Sequence, residues 1–332
     1  MSAQVGEKMN TKEKFEKLFN NELSTEEARA FLIELYEKGE TPEEIAMAAS
    51  VMREHSVKLP MSDELREKAI DVVGTGGDKS GSFNISTTVA LLLSAMGRTV
   101  AKHGSRSITS NSGSADLLEA LNINLNLTPE QQVEMLEKTG FCFIFAINHH
   151  PAMKHIMPIR HSIEHRTIFN LLGPLTNPAG AKKYLLGVFH PEYIERMALA
   201  LLELDITRAF VVSSNDGMDE IGLATTTPFA YVENGKISTG LIKPTDFGFR
   251  MAGAGEILGG TAQENALITR EIFAGVEKDA KLDIVLLNTA FALFVDGAVK
   301  DMKEALAMVR ECISSGQASK HLAYISEVSN SF

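Results

Sequence analysis

The run Ala69-Ile70-Asp71-Val72-Val73-Gly74-Thr75-Gly76-Gly77-Asp78 decides how this chain is read. Its first half is apolar and rich in β-branched residues, the signature of a buried strand. Its second half puts three glycines into the four positions Gly74 to Gly77. Such a backbone turns tightly and brings its N–H groups close to an anion. Ser82, Asn84, Ser86 and Thr87 follow, just ahead of an apolar helical run. Hydroxyls and free N–H groups at a helix N-terminus favour negative charge. The turn is not a Walker A loop, because no Lys-Ser/Thr follows at the required spacing, and it lacks the GxGxxG fingerprint. Farther on, Arg98-Thr99-Val100-Ala101 leads into Lys102-His103-Gly104-Ser105-Arg106-Ser107, then Ile108, Thr109, Ser110, Ser112 and Ser114. Each turn alone reads as a tight turn or a solvated loop. Side by side at the carboxyl ends of adjacent strands, where ligands of such sheets bind, they read as one phosphate site.

The flanking sequence sets the frame. Upstream, Ser24-Thr25-Glu26-Glu27 and Thr41-Pro42-Glu43-Glu44 are capping boxes ahead of apolar-periodic runs, and nothing strand-like precedes residue 69. Downstream, strands alternate with helices: a helix from Thr87 to Met96, one beginning near Ser114, one from Thr128 to Gly140, a strand Cys142–Ala146, a helix from Tyr193 to Leu204 and a strand Ala209–Val212. Asn234-Gly235 marks a hairpin, and helices over 262–274, 280–295 and 300–314 follow. His149 to Pro178 is dense in His, Arg, Asn and Pro and reads as a long irregular segment. The spacing predicts an α/β protein. A small all-helical unit spans residues 1–68, joined by part of 155–185. Residues 69–332 form a larger domain with a central, mainly parallel sheet flanked by helices.

With 332 residues the chain can bury a large core. Its formal charge of −11 argues against a nucleic-acid face. Cys142 and Cys312 have no metal-ligand spacing and read as buried reduced thiols. The polar start and the absence of a long apolar run suggest a cytoplasmic protein with no membrane partner.

Two more groups carry chemistry. Asp216-Gly217-Met218-Asp219-Glu220 follows a strand, and adjacent carboxylates there suit magnesium, with Ser86 as a further candidate ligand. Within Ile159 to Pro178, Arg160 and Arg166 are each suited to a bidentate carboxylate pair. His149, His150 and His155 have no interleaved carboxylate or cysteine and are not read as a zinc site.

GTGGD, FNIST, KHG-x-R, SGSADLLEAL, HHPAMK, R-x5-RTIFNLLGPLTNPA and DGMDE, in that order, resemble the anthranilate phosphoribosyltransferase family over about residues 10–325. The resemblance implies a small helical domain hinged to a larger α/β domain, in a homodimer joined through the helical domains. It implies transfer of a 5-phosphoribosyl group from phosphoribosyl pyrophosphate to the amine of anthranilate, in tryptophan biosynthesis. The donor site would comprise Gly74, Gly77, Asp78, Ser82, Asn84, Ser86, Thr87, Lys102, His103, Gly104, Ser105, Arg106, Ser107, Ile108, Thr109, Ser110 and Ser114. The acceptor would meet Gly74, His103, Ser105, His150, Arg160 and Pro174. Ser86, Asp219 and Glu220 would hold Mg2+, two ions per subunit. No general base is assigned; Lys102 and His103 act electrostatically and by positioning. Two residues depart from the family pattern: Ser105 replaces an Asn that contacts the acceptor, and Ser213 stands where many members have His. The alternatives are a phosphoribosyltransferase for another aromatic acid, a pyrimidine nucleoside phosphorylase-like enzyme, or a non-catalytic nucleic-acid-binding relative.

Overall fold

The structure is a computed structural model that describes residues 10–106 and 112–332. Ser107, Ile108, Thr109 and Ser110, four of the expected donor contacts, lie outside the described residues.

The chain begins with α1 (Thr11–Phe19), α2 (Thr25–Lys38), α3 (Pro42–Glu54) and α4 (Asp63–Lys68). Both expected capping boxes form. Ser24 Oγ accepts from the Glu27 N–H at 3.2 Å, while the Glu27 carboxylate accepts from the Ser24 N–H at 2.9 Å. Such a cap stabilises a helix by about 1 kcal/mol. Phe15, Leu18, Leu32, Leu35 and Ile45 fill the interior of this unit.

The α/β part runs β1 (Ile70–Gly74), α5 (Ile85–Ala95), β2 (Val100–Gly104), α6 (Ser114–Ala120), α7 (Pro129–Thr139) and β3 (Phe141–Phe145). Next come α8 (Ala146–His149), α9 (Met153–His161), α10 (Phe169–Leu172), β4 (Lys183–Gly187), α11 (Tyr193–Glu203) and β5 (Arg208–Val212). The hairpin β6 (Thr227–Glu233) and β7 (Lys236–Ile242) precedes α12 (Ala262–Phe273), α13 (Ala280–Asp296), α14 (Met302–Ser314) and α15 (Gln317–Ser329). Among the described residues one sheet forms, in the order β3-β2-β1-β4-β5-β6-β7. β1 to β5 are parallel, and β6 and β7 are antiparallel additions at one edge. The parallel strands are buried almost throughout, as helices packed on a sheet require. Asn234 and Gly235, at φ 51° and 73°, make the β6–β7 turn that the sequence announces.

Several expectations need correction. The segment 149–178 is not simply irregular. It holds α9 and α10 and a short 3-10 turn at Gly173–Leu175. Pro158 inside α9 and the polar His and Arg side chains hide the period, although Ile156 and Ile159 form a buried stripe. β4, which pairs with both β1 and β5, has no signal beyond the five residues KYLLG. α15 is a further helix, and α5 begins at Ile85, two residues before the expected start.

The 149–178 segment ties the helical unit to the sheet. The Val57 N–H donates to His149 O at 2.8 Å, and His149 Nδ1 donates to Val57 O at 2.6 Å. Arg53 Nε donates to Leu175 O at 2.6 Å, and His155 Nε2 donates to Leu18 O at 3.0 Å.

Gly74 and Gly187 are register partners at the ends of β1 and β4. Asp219 lies directly on them, its backbone against Gly187 and its carboxylate against Gly74. A Cβ on Gly187 would sit 1.6 Å from the Asp219 carbonyl oxygen, and one on Gly74 would sit 2.3 Å from its Oδ2. Overpacking of this kind typically costs about 1–3 kcal/mol. Gly187→Ala is therefore expected to lower the urea midpoint by a corresponding amount. Gly253→Ala, with φ −76° and nothing within 4 Å, should leave the unfolding free energy within about 0.5 kcal/mol of the parent.

Candidate functional site

Everything polar about the site gathers at the carboxyl ends of β1, β2, β4 and β5. The turn after β1 takes positive φ at Gly76 and Gly77, 69° and 73°, values that glycine adopts without strain. This curls the chain so that the Gly76 N–H donates to Asp219 Oδ2 at 2.7 Å. In the first turn of α5, the Ser86 N–H donates to Glu220 Oε1 at 3.1 Å. Lys102, on β2 and almost wholly buried, donates from Nζ to Val72 O and, at 3.3 Å, to Ser86 Oγ. The glycine turn, the basic turn and the acid turn thus share one locus.

The two phosphate-type turns are also laced to each other. Asn84 Nδ2 donates to Ser112 O at 3.0 Å, and Asn84 Oδ1 accepts from Asn265 Nδ2 at 2.8 Å. Thr87 Oγ1 donates to Ser114 Oγ at 3.0 Å. A Cβ on Gly104 would meet Ser114 at 3.1 Å and the Phe143 ring at 2.9 Å, so the strand end and α6 touch there. Ser80 Oγ donates to Ser82 Oγ at 3.1 Å, and Ser82 bridges to Leu258. Ser105 donates to the Arg106 carbonyl at 3.0 Å, and its own carbonyl accepts from Ala115 N–H. Arg106 points to α6, where it pairs with Asp116 at 2.8 Å and Glu119 at 2.6 Å.

The charges in the locus are unbalanced. Asp78, Asp219 and Glu220 stand together against Lys102. Burial first, then the neighbouring Asp78, raises the Asp219 carboxyl to about 7. Burial and then Asp219 push Glu220 well above the usual carboxylate range. Burial lowers Lys102, and Asp71, Glu220 and Asp219 oppose that shift. Carboxylates held this way will take up protons or cations. The donor set is two hard carboxylates and a hydroxyl, the kind Mg2+ prefers. Ser86, Asp219 and Glu220 therefore fit such an ion.

Beside this locus sits a neutral, aromatic-lined region. His103 Nδ1 lies 3.1 Å from Gly173 O, which can only accept, so the ring carries its proton there. Burial, then His150, keeps His103 well below its ordinary range, and burial, then His149, lowers His150 to about 4. In the neutral His103 ring Nε2 must accept, so His150 donates across the 3.2 Å between the two Nε2 atoms. His150 Nδ1 is then a bare lone pair, buried and without a partner among the described residues. Pro174 is buried in the adjoining 3-10 turn. Arg160 stacks at 5.4 Å over Phe169 and has no carboxylate within ion-pair distance among the described residues. Arg166 is placed differently. It donates to Gly77 O at 2.8 Å and lies 3.5 Å over the Phe189 ring, so it braces the glycine turn.

Sequence reasoning passed over Asp71, Asn177 and Gly187. Asp71 has no exposure inside β1, where it accepts from Asn177 Nδ2 at 2.8 Å and from the His103 N–H at 3.3 Å. A charged residue within a run of buried aliphatics was the available signal. Asn177 also donates to Ala101 O at 2.8 Å, which fixes β1, β2 and the 149–178 segment together.

Two family models match the chain: "Glycosyl transferase family, helical bundle domain" over residues 10–56 and "Glycosyl transferase family, a/b domain" over residues 66–319. The anthranilate phosphoribosyltransferase of Persephonella marina is 43% identical over 318 residues, covering 96% of this chain and 93% of its own length. That of Acetivibrio thermocellus is 47% identical over 304 residues, 91% of this chain and 87% of its own. Among solved structures, the Thermus thermophilus anthranilate phosphoribosyltransferase superimposes with a TM-score of 0.90 at 39% identity, covering 98% of this chain and 97% of that one. The Saccharomyces cerevisiae enzyme in complex with PRPP and Mg gives 0.87 at 26% identity, over 98% and 94%.

The raised Asp219 carboxyl links stability to pH. Its affinity for protons is higher folded than unfolded, so the folded chain binds more protons between about 3.8 and about 7. Stability from this group therefore falls as pH rises through that window. Without divalent ions, Asp219→Asn should gain urea resistance relative to the parent, little at pH 4 and most at pH 8. Parallel curves for the two proteins would contradict the assignment.

Proposed function

Because the chain belongs to the anthranilate phosphoribosyltransferase family, we propose that it moves the 5-phosphoribosyl group from phosphoribosyl pyrophosphate to anthranilate through the residues described above. The observation that carries the reading is the meeting of the glycine turn, Lys102 and the acid turn, with Gly76 N–H on Asp219 and Ser86 N–H on Glu220. The aromatic amine of the acceptor is neutral at pH 7 and already nucleophilic, so no strong base is required. The barrier lies in the departing pyrophosphate, which gains charge as the C1–O bond breaks. Preorganised positive groups at that oxygen are the effective catalytic element. Lys102 and the N–H groups of the glycine turn other than that of Gly76, which Asp219 takes, supply them, held in place before the substrate arrives. Ser86, Asp219 and Glu220 would hold Mg2+, two ions per subunit, which when bound neutralises pyrophosphate charge. Asp78, Ser82, Asn84, Thr87 and Ser114 shape the donor pocket with the basic turn.

On the acceptor side, Arg160 receives the anthranilate carboxylate. A partly buried guanidinium with no ion-pair partner among the described residues supports this role. His103 and His150, neutral and linked, line the aromatic ring with Gly74 and Pro174. Ser105, shorter than the Asn of the family, reaches the acceptor only through water. The helical unit closes against the α/β part through the 149–178 segment and keeps water from C1. A homodimer formed through the helical unit belongs to the same reading.

An assay of phosphoribosyl pyrophosphate, anthranilate and Mg2+ tests the whole. Anthranilate must be consumed with pyrophosphate release. Turnover of a pyrimidine nucleoside with phosphate, but not of anthranilate, would refute it. The double variant Asp219→Asn with Glu220→Gln should retain its fold by circular dichroism and lose at least 100-fold in kcat. Arg160→Ala should raise the anthranilate KM at least 10-fold and leave the donor KM within about twofold. Equal effects on both substrates would remove Arg160 from the acceptor site.

A further inference from the structure

The acid turn is gripped from behind by a side chain that the reading above does not use. Asn288 lies in the middle of α13 with no solvent exposure. Mid-helix burial is an unfavourable place for Asn, whose amide competes with the backbone and must be fully paired. Here every group is engaged. Asn288 Oδ1 accepts from the Ile221 N–H at 3.0 Å. Asn288 Nδ2 donates to the Ile221 carbonyl at 2.9 Å and to the Ile284 carbonyl at 2.8 Å.

The two bonds to Ile221 form a closed, two-point clamp on one residue's backbone. A single bond would leave the peptide free to rotate about it; two do not. Ile221 N is bonded to the carbonyl carbon of Glu220, so the clamp fixes the orientation of the unit that carries Glu220. The next residue is held as well: the Gly222 N–H donates to Thr227 Oγ1 at 3.2 Å. α13 is rigid in its turn, packed on α5, β4 and β5. α5 is the helix whose Ser86 N–H meets Glu220. The two sides of the acid locus are thus referenced to the same pair of packed helices. Only a side chain presenting a donor and an acceptor side by side can hold both groups of one residue. Leu, of similar size, offers neither, and Asp offers no donor when ionised.

We propose that Asn288 is a positioning residue for the acid turn, holding the Ile221 peptide so that Asp219 and Glu220 are set at the spacing a divalent cation needs. The proposal rests on the reading that these two carboxylates take Mg2+.

Calorimetric titration of Mg2+ into the substrate-free chain tests it. Asn288→Ala should weaken Mg2+ binding at least 10-fold and raise the Mg2+ concentration for half-maximal rate in parallel. The anthranilate KM should stay within twofold. Asn288→Asp keeps the shape and the acceptor but loses both donors, and should show the same direction if Asn288→Ala folds poorly. Leu287→Ala, at a buried apolar neighbour on the same helix, should lower the melting temperature without changing Mg2+ affinity. Parent-like Mg2+ binding in both Asn288 variants, or an equal loss in Leu287→Ala, overturns the proposal. Glu220→Gln separates the two levels. If it weakens Mg2+ and the Asn288 variants do not, the clamp alone fails. If it does not, the metal reading fails and the clamp's role with it.

Discussion

The site depends on one close approach: Asp219 lies on the glycine ends of two adjacent strands, by its backbone at Gly187 and by its carboxylate at Gly74. Gly74 and Gly187 are neighbours in register, and neither position has room for a Cβ. The contact lets an acidic turn from beyond β5 fold back over β1 and β4. Without it the carboxylates would project away from the glycine turn, and the N–H groups of Gly76 and Ser86 would have no anion to meet. Small residues here do not serve local flexibility. They remove volume so that two distant segments share one surface, and the interior is too dense to absorb an added methyl at low cost.

Charge placement follows from that approach. Three carboxylates and one lysine are drawn together, and burial first, then the neighbouring acids, raises the proton affinities of Asp219 and Glu220. A second buried carboxylate, Asp71, stands behind Lys102 and works against its loss of a proton. Asp71 itself is raised to about 7, by burial first and against the pull of Lys102 and the amide of Asn177. The lysine is thus bracketed by acids on two sides, and they oppose the lowering that burial alone imposes on it.

Much of this frame was legible in the sequence, and the reasons are local. Capping boxes, the Asn-Gly turn and the glycine-rich strand end each act within a few residues, so Ser24, Thr41, Asn234 and Gly76 announced themselves. The sheet's mainly parallel order followed from alternation. What stayed hidden depends on distance along the chain. β4 is five residues of an unremarkable sequence, and becomes a strand because β1 and β5 flank it. Asn177 reaches back to Asp71, 106 positions earlier, and Asn288 reaches Ile221, 67 positions earlier. No periodicity carries such pairs. Arg106 and Arg166 show the converse: the first was expected on the donor and the second suited a carboxylate pair, whereas the fold uses one on Asp116 and Glu119 of α6 and the other on Gly77 O.

The two halves of the site obey opposite electrostatic rules, and their adjacency is what the proposed reaction requires. One half holds acids and a lysine in a locus that binds charge. The other holds two histidines kept neutral by burial and joined ring to ring, so their arrangement is set by tautomer and not by ionisation. A neutral amine presented to a carbon that is losing a polyanion needs this asymmetry. Positive charge beside the nucleophile would withdraw the lone pair, and its absence beside the leaving group would leave the developing charge unmet. Arg160 belongs to neither half. In the proposed reaction its cation would meet a carboxylate that takes no part in bond formation, and so would orient the acceptor without lowering the nucleophilicity of its amine.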